Sequence, residues 1–337
     1  MSLAKSIKNN AISKLFSIQK KYDLELIFSL RELNSRYDVL LDLNLLTTSL
    51  DSELPLSLRR FEGIKLAHVG DYFAYHSSLD KNNRLKEIGT TALLGYCMHD
   101  HHCDFFREHY KDFLGKVWGI PMSFSKRFRK YNEFENRKDM AISLGSLFKL
   151  NNESFSKKTF FEAENFFENE AWFHRFREKL FRYSDEIRDL VFCGIPNPNK
   201  KNSIRLDLVE AFNSYKFFVT CETVFNFPTA KIFEGIACGS ILLASNNTIY
   251  KELGFINNKH FISFENEDLN NMQDKILYFL ENEPMLKEIA HNSHSLVMAK
   301  FNPKSISSYL IDICSKYSSS YTSIPEPIST FEGYAIN

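Results

Sequence analysis

The chain contains 337 residues, of which 44% are hydrophobic and 25% are charged. A chain of this length is expected to form roughly two domains, and its apolar content excludes a disordered protein. Because 42 Lys and Arg are balanced by 42 Asp and Glu, the formal net charge is zero. This balance offers no whole-chain attraction to nucleic acid, which we do not expect as a partner.

The cysteines and the apolar runs predict where the protein resides. The six Cys are scattered and form no Cys-x-x-Cys pair, which is typical of reduced thiols in the cytoplasm. No apolar run reaches the roughly 18 residues of a membrane span, and residues 1–10 lack the apolar core of a signal peptide. We therefore expect a cytoplasmic protein.

Residues 1–36 predict a basic amphipathic helix. Leu3, Ile7 and Leu15 lie on one side, and several lysines lie on the other. A helix of this kind can lie on an anionic surface, which leaves open a peripheral contact at the inner face of the membrane. The thin apolar stripe favours the alternative, a helix docked on its own domain.

Short apolar runs separated by helical stretches predict two parallel sheets. Runs that are apolar throughout suit strands covered on both faces, with helices as the crossovers. In the first half the predicted strands are Tyr37–Leu43, Ile64–Val69, Ala92–Met98 and Lys116–Ile120. In the second half they are Asp139–Leu144, Leu190–Cys193, Tyr215–Thr220, Ser240–Ala244 and His260–Phe264.

Other segments set the expected domain organisation. The charged segment Ser125–Lys138 has no apolar period and predicts an interdomain linker. A long helix is predicted over Phe160–Tyr183, because Thr159 and Glu162 have the spacing of a capping box. A last helix is predicted over Lys304–Ser315. We expect an α/β protein with doubly wound domains over 1–135 and 136–316, followed by a tail over 317–337.

The segment Tyr215–Ser245 carries the strongest functional signal. A buried strand, a loop and a short helix over Thr229–Cys238 follow each other, so the helix begins where a parallel sheet places its ligands. The amides of Ala230 and Lys231, the helix dipole and the lysine side chain together suit a diphosphate. Glu234 could accept hydrogen bonds from two vicinal hydroxyls, such as those of a ribose. The alternative is a solvated ion pair between Lys231 and Glu234.

The stretch KIFEGIACGSILLAS, over Lys231–Ser245, resembles the donor-binding signature of the group-1 glycosyltransferases. In that family a Lys or Arg precedes an F-E-A-x-A-x-G run that leads into an apolar strand. Residues 261–280 and 285–301 resemble the family's closing helices, and Asp104–Phe124 resembles the segment that ends its acceptor lobe. The resemblance implies the GT-B fold, in which two Rossmann-like domains face a central cleft.

The resemblance also assigns roles around the short helix. Thr229 and Lys231 fall at positions that line the donor diphosphate. Glu234 falls at the second Glu of the family's E-x7-E motif, which contacts the donor ribose. The first Glu of the motif falls at Asn226, so the motif is half present.

Three further positions match the donor side of the family. Gly145 and Ser146 match the glycine loop that closely approaches the donor, and Gly194 is a candidate for the nucleobase side. The resemblance implies transfer of a sugar from a nucleotide sugar to a glycan or lipid-linked acceptor, in cell-surface polysaccharide synthesis and with retention of configuration. We expect no cofactor and no metal, because the helix dipole and Lys231 offset the charge of the leaving diphosphate.

A second resemblance leaves the reaction type open. The stretches YKFFVTCE, over Tyr215–Glu222, and TAKIFEG, over Thr229–Gly235, are also similar to the α-fucosyltransferases, another GT-B group. An inverting, fucosyltransferase-like enzyme is therefore the alternative within the same fold. A GT-B module that binds nucleotide without catalysis stays open as well.

Histidines follow two predicted strands of the first domain. His68 and Asp71 follow one strand and His99 follows another, so in a GT-B protein all three are candidates for a catalytic group. The alternatives are solvated loops, or a metal-dependent hydrolase that binds its metal through His99 and His101. His174 falls in a predicted helix and carries no functional signal.

Overall fold

The computed structural model describes residues 38–42, 56–70, 72–73, 77–150, 161–167, 172–194, 207–265, 267–319 and 327. The chain divides into two compact units. Unit 1 comprises Met1–Pro121, Phe155–Glu162 and Pro303–Ser329, and unit 2 comprises Met122–Ser154, Ala163–Asn302 and Thr330–Asn337. This division differs from the predicted domains over 1–135, 136–316 and 317–337, because 122–135 belongs to unit 2 and the chain returns to unit 1 after residue 302.

Unit 1 contains a sheet of four parallel strands in the order β1-β2-β3-β4. The strands are β1 (Val39–Asp42), β2 (Ile64–His68), β3 (Ala92–Gly95) and β4 (Val117–Gly119), and each lies within a predicted apolar run. The helices that follow in chain order are α1 (Leu56–Arg60), α2 (Ser78–Ile88), α3 (His99–His102) and α4 (Asp104–His109), with a 3-10 turn at Lys111–Phe113.

Unit 2 contains a sheet of five parallel strands in the order β6-β5-β7-β8-β9. The strands are β5 (Lys138–Leu144), β6 (Val191–Gly194), β7 (Tyr215–Val219), β8 (Ile241–Ser245) and β9 (Ile262–Phe264). The helices from residue 161 onward are α5 (Phe161–Phe166), α6 (Arg175–Arg182), α7 (Leu208–Ser214), α8 (Ala230–Ala237), α9 (Thr248–Glu252), α10 (Leu269–Glu281), α11 (Glu283–Lys300) and α12 (Pro303–Ser319). Both sheets are parallel throughout, which confirms the predicted α/β class.

The central strands of unit 2 form the core of that unit. All five residues of β7 are buried, and Ile241, Leu242, Leu243 and Ala244 of β8 have no exposed surface. Apolar side chains of α10 and α11 complete this core. A continuous apolar run is what a strand covered on both faces requires, which is why these strands were predictable.

The segment predicted as a linker, Ser125–Lys138, packs as part of unit 2. Phe128 and Phe134 are buried, and so is Arg137. The Arg137 guanidinium donates hydrogen bonds to the carbonyls of Phe212 at 3.1 Å and Cys238 at 2.7 Å. The prediction is wrong because these side chains are buried, and backbone carbonyls of unit 2 accept hydrogen bonds from both Nη atoms of Arg137.

The long helix predicted over Phe160–Tyr183 is instead two helices, α5 and α6. Between them, Trp172 forms an isolated bridge with Lys149, and the Phe173 amide donates to the Phe148 carbonyl at 2.9 Å. This pairing with the chain after β5 overrides the helical spacing of the aromatic residues. The prediction is therefore wrong at the point where a tertiary contact replaces local propensity.

The last helix, α12, belongs to unit 1 and is longer than the predicted Lys304–Ser315. Within unit 1, Trp118 at the end of the sheet donates from Nε1 to the Tyr317 hydroxyl at 2.9 Å. Both side chains are buried. The final helix thus covers part of the first sheet.

Some predictions concern residues outside those described, namely the helix over 1–36, Thr159 of the capping box and most of the tail. Glu162 of that capping box is described, and its carboxylate accepts a hydrogen bond from the Ser78 amide at 2.7 Å within unit 1. Within the described residues, no helix combines the length and the apolar character that crossing a bilayer requires.

Candidate functional site

The strand order of unit 2 places the candidate site between the ends of β5 and β7. The chain leaves β5 toward β6 on one side, and it leaves β7 toward β8 on the other. In open parallel sheets the loops diverge at such a reversal, and ligands bind at the carboxyl ends of the two strands. Residues 145–150 follow β5 and residues 220–229 follow β7, so these two loops define the site.

Gly145 leaves room for a guanidinium at the end of β5. Its φ of +132° is a conformation that residues with a side chain rarely adopt. A Cβ atom at this position would lie 2.8 Å from Cζ of Arg177. Arg177, from α6, donates from Nη1 to the Ser146 carbonyl at 3.0 Å. The predicted glycine loop therefore lies against the guanidinium of Arg177, a residue for which the sequence predicted no role.

Arg177 is a buried cation with an open donor. Its side chain is almost fully enclosed, with 3% of the residue exposed. Burial lowers the pKa of its guanidinium, and within the described residues only Cys221 offsets that effect. Its Nη2 atom has no hydrogen-bond partner among the described residues. A desolvated guanidinium with a free N–H edge is suited to a phosphate or a carboxylate with two acceptor atoms.

A hydrogen bond joins the two ends of the loop after β7. Thr220 and Thr229 share a hydrogen bond between their hydroxyl groups, with their Oγ1 atoms 3.1 Å apart. Thr229 is the N-cap residue of α8 but makes no side-chain capping bond. The first amides of α8, at Ala230 and Lys231, therefore have no partner within their own helix. The amino end of α8, with its free amides and the positive end of the helix dipole, is therefore suited to bind an anion at this edge of the sheet.

Lys231 and Glu234 lie near the start of α8 and are both half-buried. Burial lowers the pKa of Lys231 to about 8, the charge of Arg177 adds to this effect, and Glu234 opposes it. Burial raises the pKa of Glu234, which Lys231 and Arg127 oppose. Two half-buried groups do not match the alternative of a solvated surface pair. Lys231 instead lies in the first turn of α8, where its charge and that of Arg177 interact.

His174 and Cys221 complete the surroundings of the two cations. His174 is buried, and burial followed by the charges of Arg177 and Lys231 lowers its pKa well below the usual value. Its Nδ1 lies 3.9 Å from Sγ of Cys221. The imidazole is therefore neutral at pH 7 and adds no charge to the site. Sequence reasoning gave His174 no role, because its burial depends on the break between α5 and α6.

Asn226 occupies a left-handed backbone conformation in the same loop. Its φ is +52°, a region that Asn tolerates better than Glu. Its side-chain oxygen accepts a hydrogen bond from the amide group of Asn247. The backbone thus gives a physical reason why Asn stands where the resembling family has Glu. Its direct role in donor binding stays a prediction.

Gly194 lies beside the glycine loop. It is the last residue of β6 and pairs with Leu144, the residue that precedes Gly145. The chain after it, over 195–206, is outside the described residues. The structure therefore places Gly145, Ser146 and Gly194 at one sheet edge, while their roles in donor binding stay predictions.

In unit 1, His99 does not have the environment of a catalytic group. It has no exposed surface, and burial, followed by the charges of His68 and His102, lowers its pKa to about 3. Its Nδ1 lies 3.5 Å from the Cys97 sulfur. His101 is exposed, so the two histidines proposed to bind a metal face different surroundings. The described residues contain no group of three His, Cys, Asp or Glu placed to hold a metal ion.

His68 remains a candidate at the carboxyl end of β2. It is half-buried, burial lowers its pKa to about 4, and its ring lies 5.4 Å from that of Tyr96. Its imidazole is therefore neutral at pH 7, the form that can accept a proton. Asp71 is outside the described residues, so its predicted role stays a prediction.

Comparisons with known proteins agree with this architecture. Residues 171–312 match the family described as "Glycosyl transferase-like". Anabaena HepE, solved in complex with UDP, is 10% identical, with a TM-score of 0.52, over 83% of this chain and 79% of that one. An alpha1,3-fucosyltransferase is 10% identical, with a TM-score of 0.52, over 99% of this chain and 90% of that one. No curated protein matches the chain significantly.

The parallel sheets and the shared fold confirm the predicted GT-B class. The match over 171–312 agrees with the predicted resemblance to glycosyltransferases. This part contains Arg177, the loop after β7 and the start of α8.

Proposed function

We propose that the chain transfers a sugar from a nucleotide-sugar donor to a hydroxyl group of a glycan or a lipid-linked acceptor. The observation that carries this proposal is the electrostatic interaction between the buried Arg177 and the half-buried Lys231, which lies in the first turn of α8. Glu234 offsets only part of this charge, so a diphosphate would complete the neutralisation. The family match and the UDP complex of HepE support a nucleotide donor.

In the proposed reaction the bond between the anomeric carbon and the diphosphate oxygen breaks. A bond forms between the anomeric carbon and the acceptor oxygen, whose proton passes to a base. The nucleoside diphosphate leaves with an additional negative charge, which Arg177, Lys231 and the amides of α8 stabilise. The proposed reaction therefore uses no metal and no other cofactor. Glu234 is proposed to hold the hydroxyls of the ribose.

We further propose that unit 1 presents the acceptor, with His68 and Asp71 as the candidates for the catalytic group. His68 is neutral at pH 7, the protonation state that a general base requires. The sequence resemblance supports retention of configuration and a role in cell-surface polysaccharide synthesis. A cytoplasmic location, with peripheral membrane contact through residues 1–36, is proposed from the sequence alone.

Replacing Lys231 with Met tests the proposed site. A thermal-shift screen with UDP-, GDP-, ADP- and CMP-sugars should identify a nucleotide sugar that stabilises the wild-type chain. We expect Lys231→Met to weaken its binding about 30-fold, because a buried charge contact with the diphosphate is lost. Without ligand the variant should be at least as stable as the wild type, because burial disfavours the charged lysine.

Lys259→Met, at an exposed lysine of unit 2, is the matched control and should bind like the wild type. The proposal is contradicted if none of these nucleotide sugars stabilises the wild-type chain. It is also contradicted if Lys231→Met binds the identified donor with unchanged affinity.

The affinity for a nucleoside diphosphate should fall as the pH rises through about 8. Lys231 has a pKa of about 8 in the free protein. The diphosphate favours its charged form, so binding weakens as the ammonium loses its proton. His174 is already neutral in this range and does not contribute. Titrations with UDP and GDP at constant ionic strength would measure the effect.

Lys231→Arg provides the control for this pH dependence, because a guanidinium stays charged over the whole range. Its affinity should be nearly constant between about pH 7 and pH 9. An equal loss of affinity in the Arg variant would show that another group titrates.

The inverting, fucosyltransferase-like reaction is the second candidate. The alpha1,3-fucosyltransferase shares its fold with nearly the whole chain, and the sequence similarity over Tyr215–Glu222 supports the same reading. The configuration of the anomeric carbon in the product, measured by NMR, separates inversion from retention.

A further inference from the structure

The helix that carries Arg177, α6, contacts the chain after three strands of the unit 2 sheet. Arg177 itself donates to a carbonyl after β5. His174, the N-cap residue of α6, lies beside Cys221 after β7, with 3.9 Å between Nδ1 and Sγ. Lys179 donates from Nζ to the carbonyl of Glu267, after β9, at 2.9 Å. The position of α6 therefore depends on contacts at three strand ends.

Further contacts with the end of β9 come from the two residues just before Arg177. Arg175 forms an ion pair with the Glu267 carboxylate, with 3.2 Å between Nη2 and Oε1. The ring of Phe176 packs on that of Phe264, the last residue of β9, with the ring centroids 5.0 Å apart. Contacts with the end of β9 therefore occur both before and after Arg177 along α6.

Glu267 has a backbone conformation that residues with a side chain rarely adopt. Its φ is +61°, in the left-handed region. Such strain persists where the surroundings determine the conformation, and it clusters at functional sites. Here α6 holds Glu267 on one side, and on the other side the chain enters α10, whose N-cap Asp268 accepts hydrogen bonds from the amides of Asn270 and Asn271. Glu267 is thus fixed between two helices.

The placement of Arg177 requires support from the rest of α6. Its guanidinium is buried, and its charge lowers the pKa of Lys231, so the two cations repel each other. Burial and repulsion both oppose this placement. Contacts made elsewhere on α6 therefore have to keep the guanidinium beside the end of β5, and the contacts with the end of β9 meet this need.

We propose that Lys179 and Glu267 are positioning residues, which hold Arg177 at the end of β5 in the place where it binds the diphosphate of the donor. This inference rests on the proposed function. Both residues act through α6 and not by contact with the ligand. A guanidinium that is already held in place loses less conformational freedom when it binds. In the sheet, β7 and β8 lie between β5 and β9, so a distant strand end contributes to the affinity.

Lys179→Met tests this positioning in the ligand-free chain, because it removes the donor but keeps the apolar stem. Lys231 has a pKa of about 8, which Arg177 helps to lower, and Lys179 is not among the groups that act on it. We expect Lys179→Met to raise the pKa of Lys231, because the guanidinium moves away from it. Arg177→Met should raise that pKa further. NMR titration of lysines that are isotope-labelled at Cε, assigned with Lys231→Met, would measure both shifts.

The same variant should also bind nucleoside diphosphate less tightly. For whichever of UDP, GDP and ADP the wild-type chain binds, calorimetry should show an affinity about fivefold lower in Lys179→Met. Lys179→Arg keeps a donor and should stay within about twofold of the wild type. Glu267→Gly relieves the left-handed strain but loosens the chain after β9. It should weaken binding about threefold without lowering the free energy of unfolding.

Lys275→Met, at a half-buried lysine of α10, is the matched control and should change neither the pKa of Lys231 nor the affinity. Weaker binding by Lys179→Met with an unchanged pKa of Lys231 would mean that Lys179 only supports the fold, which overturns the inference. Wild-type affinity in both Lys179→Met and Glu267→Gly overturns it as well and leaves the proposed function intact. Failure of the wild-type chain to bind any of the three diphosphates would overturn both.

Discussion

Arg177→Met should weaken the binding of nucleoside diphosphate and nucleotide sugar by about 100-fold or more without lowering the stability of the ligand-free chain. The guanidinium is enclosed and desolvated, and its Nη2 has no partner among the described residues. Replacing this buried guanidinium with an apolar side chain removes the free-energy cost of desolvating its charge. The same change removes the proposed charged contact with the diphosphate, for which a loss of about 3 kcal/mol or more is expected.

Binding by calorimetry and unfolding in urea would measure the two effects separately. Arg182→Met is the matched control, because Arg182 lies on the same helix but is exposed and pairs with Glu178. That variant should change stability by less than about 1 kcal/mol and should bind normally. A wild-type affinity in Arg177→Met would remove the cation on which the proposed function depends.

Gly145→Ala should both destabilise unit 2 and abolish most of the nucleotide affinity. The φ of +132° is strained for alanine, and the new Cβ would lie 2.8 Å from Cζ of Arg177. We expect a loss of about 1–3 kcal/mol in the free energy of unfolding. Affinity should fall more than about tenfold, because the guanidinium must move away from the end of β5. Urea denaturation and calorimetry would measure the two losses.

Gly254→Ala separates backbone strain from the clash. Gly254 also has a positive φ, of +77°, but nothing lies within 4 Å of the position of its Cβ. Its replacement should cost roughly 1 kcal/mol of stability and leave binding unchanged. In the double variant Gly145→Ala with Arg177→Met, part of the lost stability should return. If the double variant recovers nothing, the clash is not the cause.

The strands were predictable because strands that are buried on both faces have continuous apolar sequences. β7 and β8 are enclosed on both faces, so their sequences contain few polar residues and no helical period. The start of α8 was predictable for a related reason, since a loop between a buried strand and a short helix fixes where the helix begins. The roles of Thr229, Lys231 and Glu234 came from that position and from the family resemblance.

Arg177 and His174 were missed because their environments are made by tertiary contacts. Arg177 stands among Arg175, Lys179 and Arg182, and all four look alike in the sequence. Only the break before α6 and the glycine at 145 turn one of them inward. Several cations close together in the sequence are typical of a solvated helix face. No local pattern therefore indicated that Arg177 is buried.

His99 shows the opposite relation between sequence position and packing. Its position after a strand predicted a role in catalysis, but the side chain is enclosed within unit 1. Its ring lies 4.6 Å from that of Tyr72 and 5.6 Å from that of Phe106. The sequence predicts that a residue lies at the end of a strand. Whether its side chain can contact a ligand depends on the packing around it.

The return of the chain to unit 1 has a consequence for biosynthesis. The sheet of unit 1 leaves the ribosome before unit 2, but α12, whose Tyr317 bonds to Trp118, is translated after most of unit 2. Unit 2 is synthesised up to Asn302 before that helix exists. While unit 2 is synthesised, the Trp118 indole of the nascent first unit therefore lacks its hydrogen-bond partner Tyr317. A truncation before Pro303 would leave it permanently in that state.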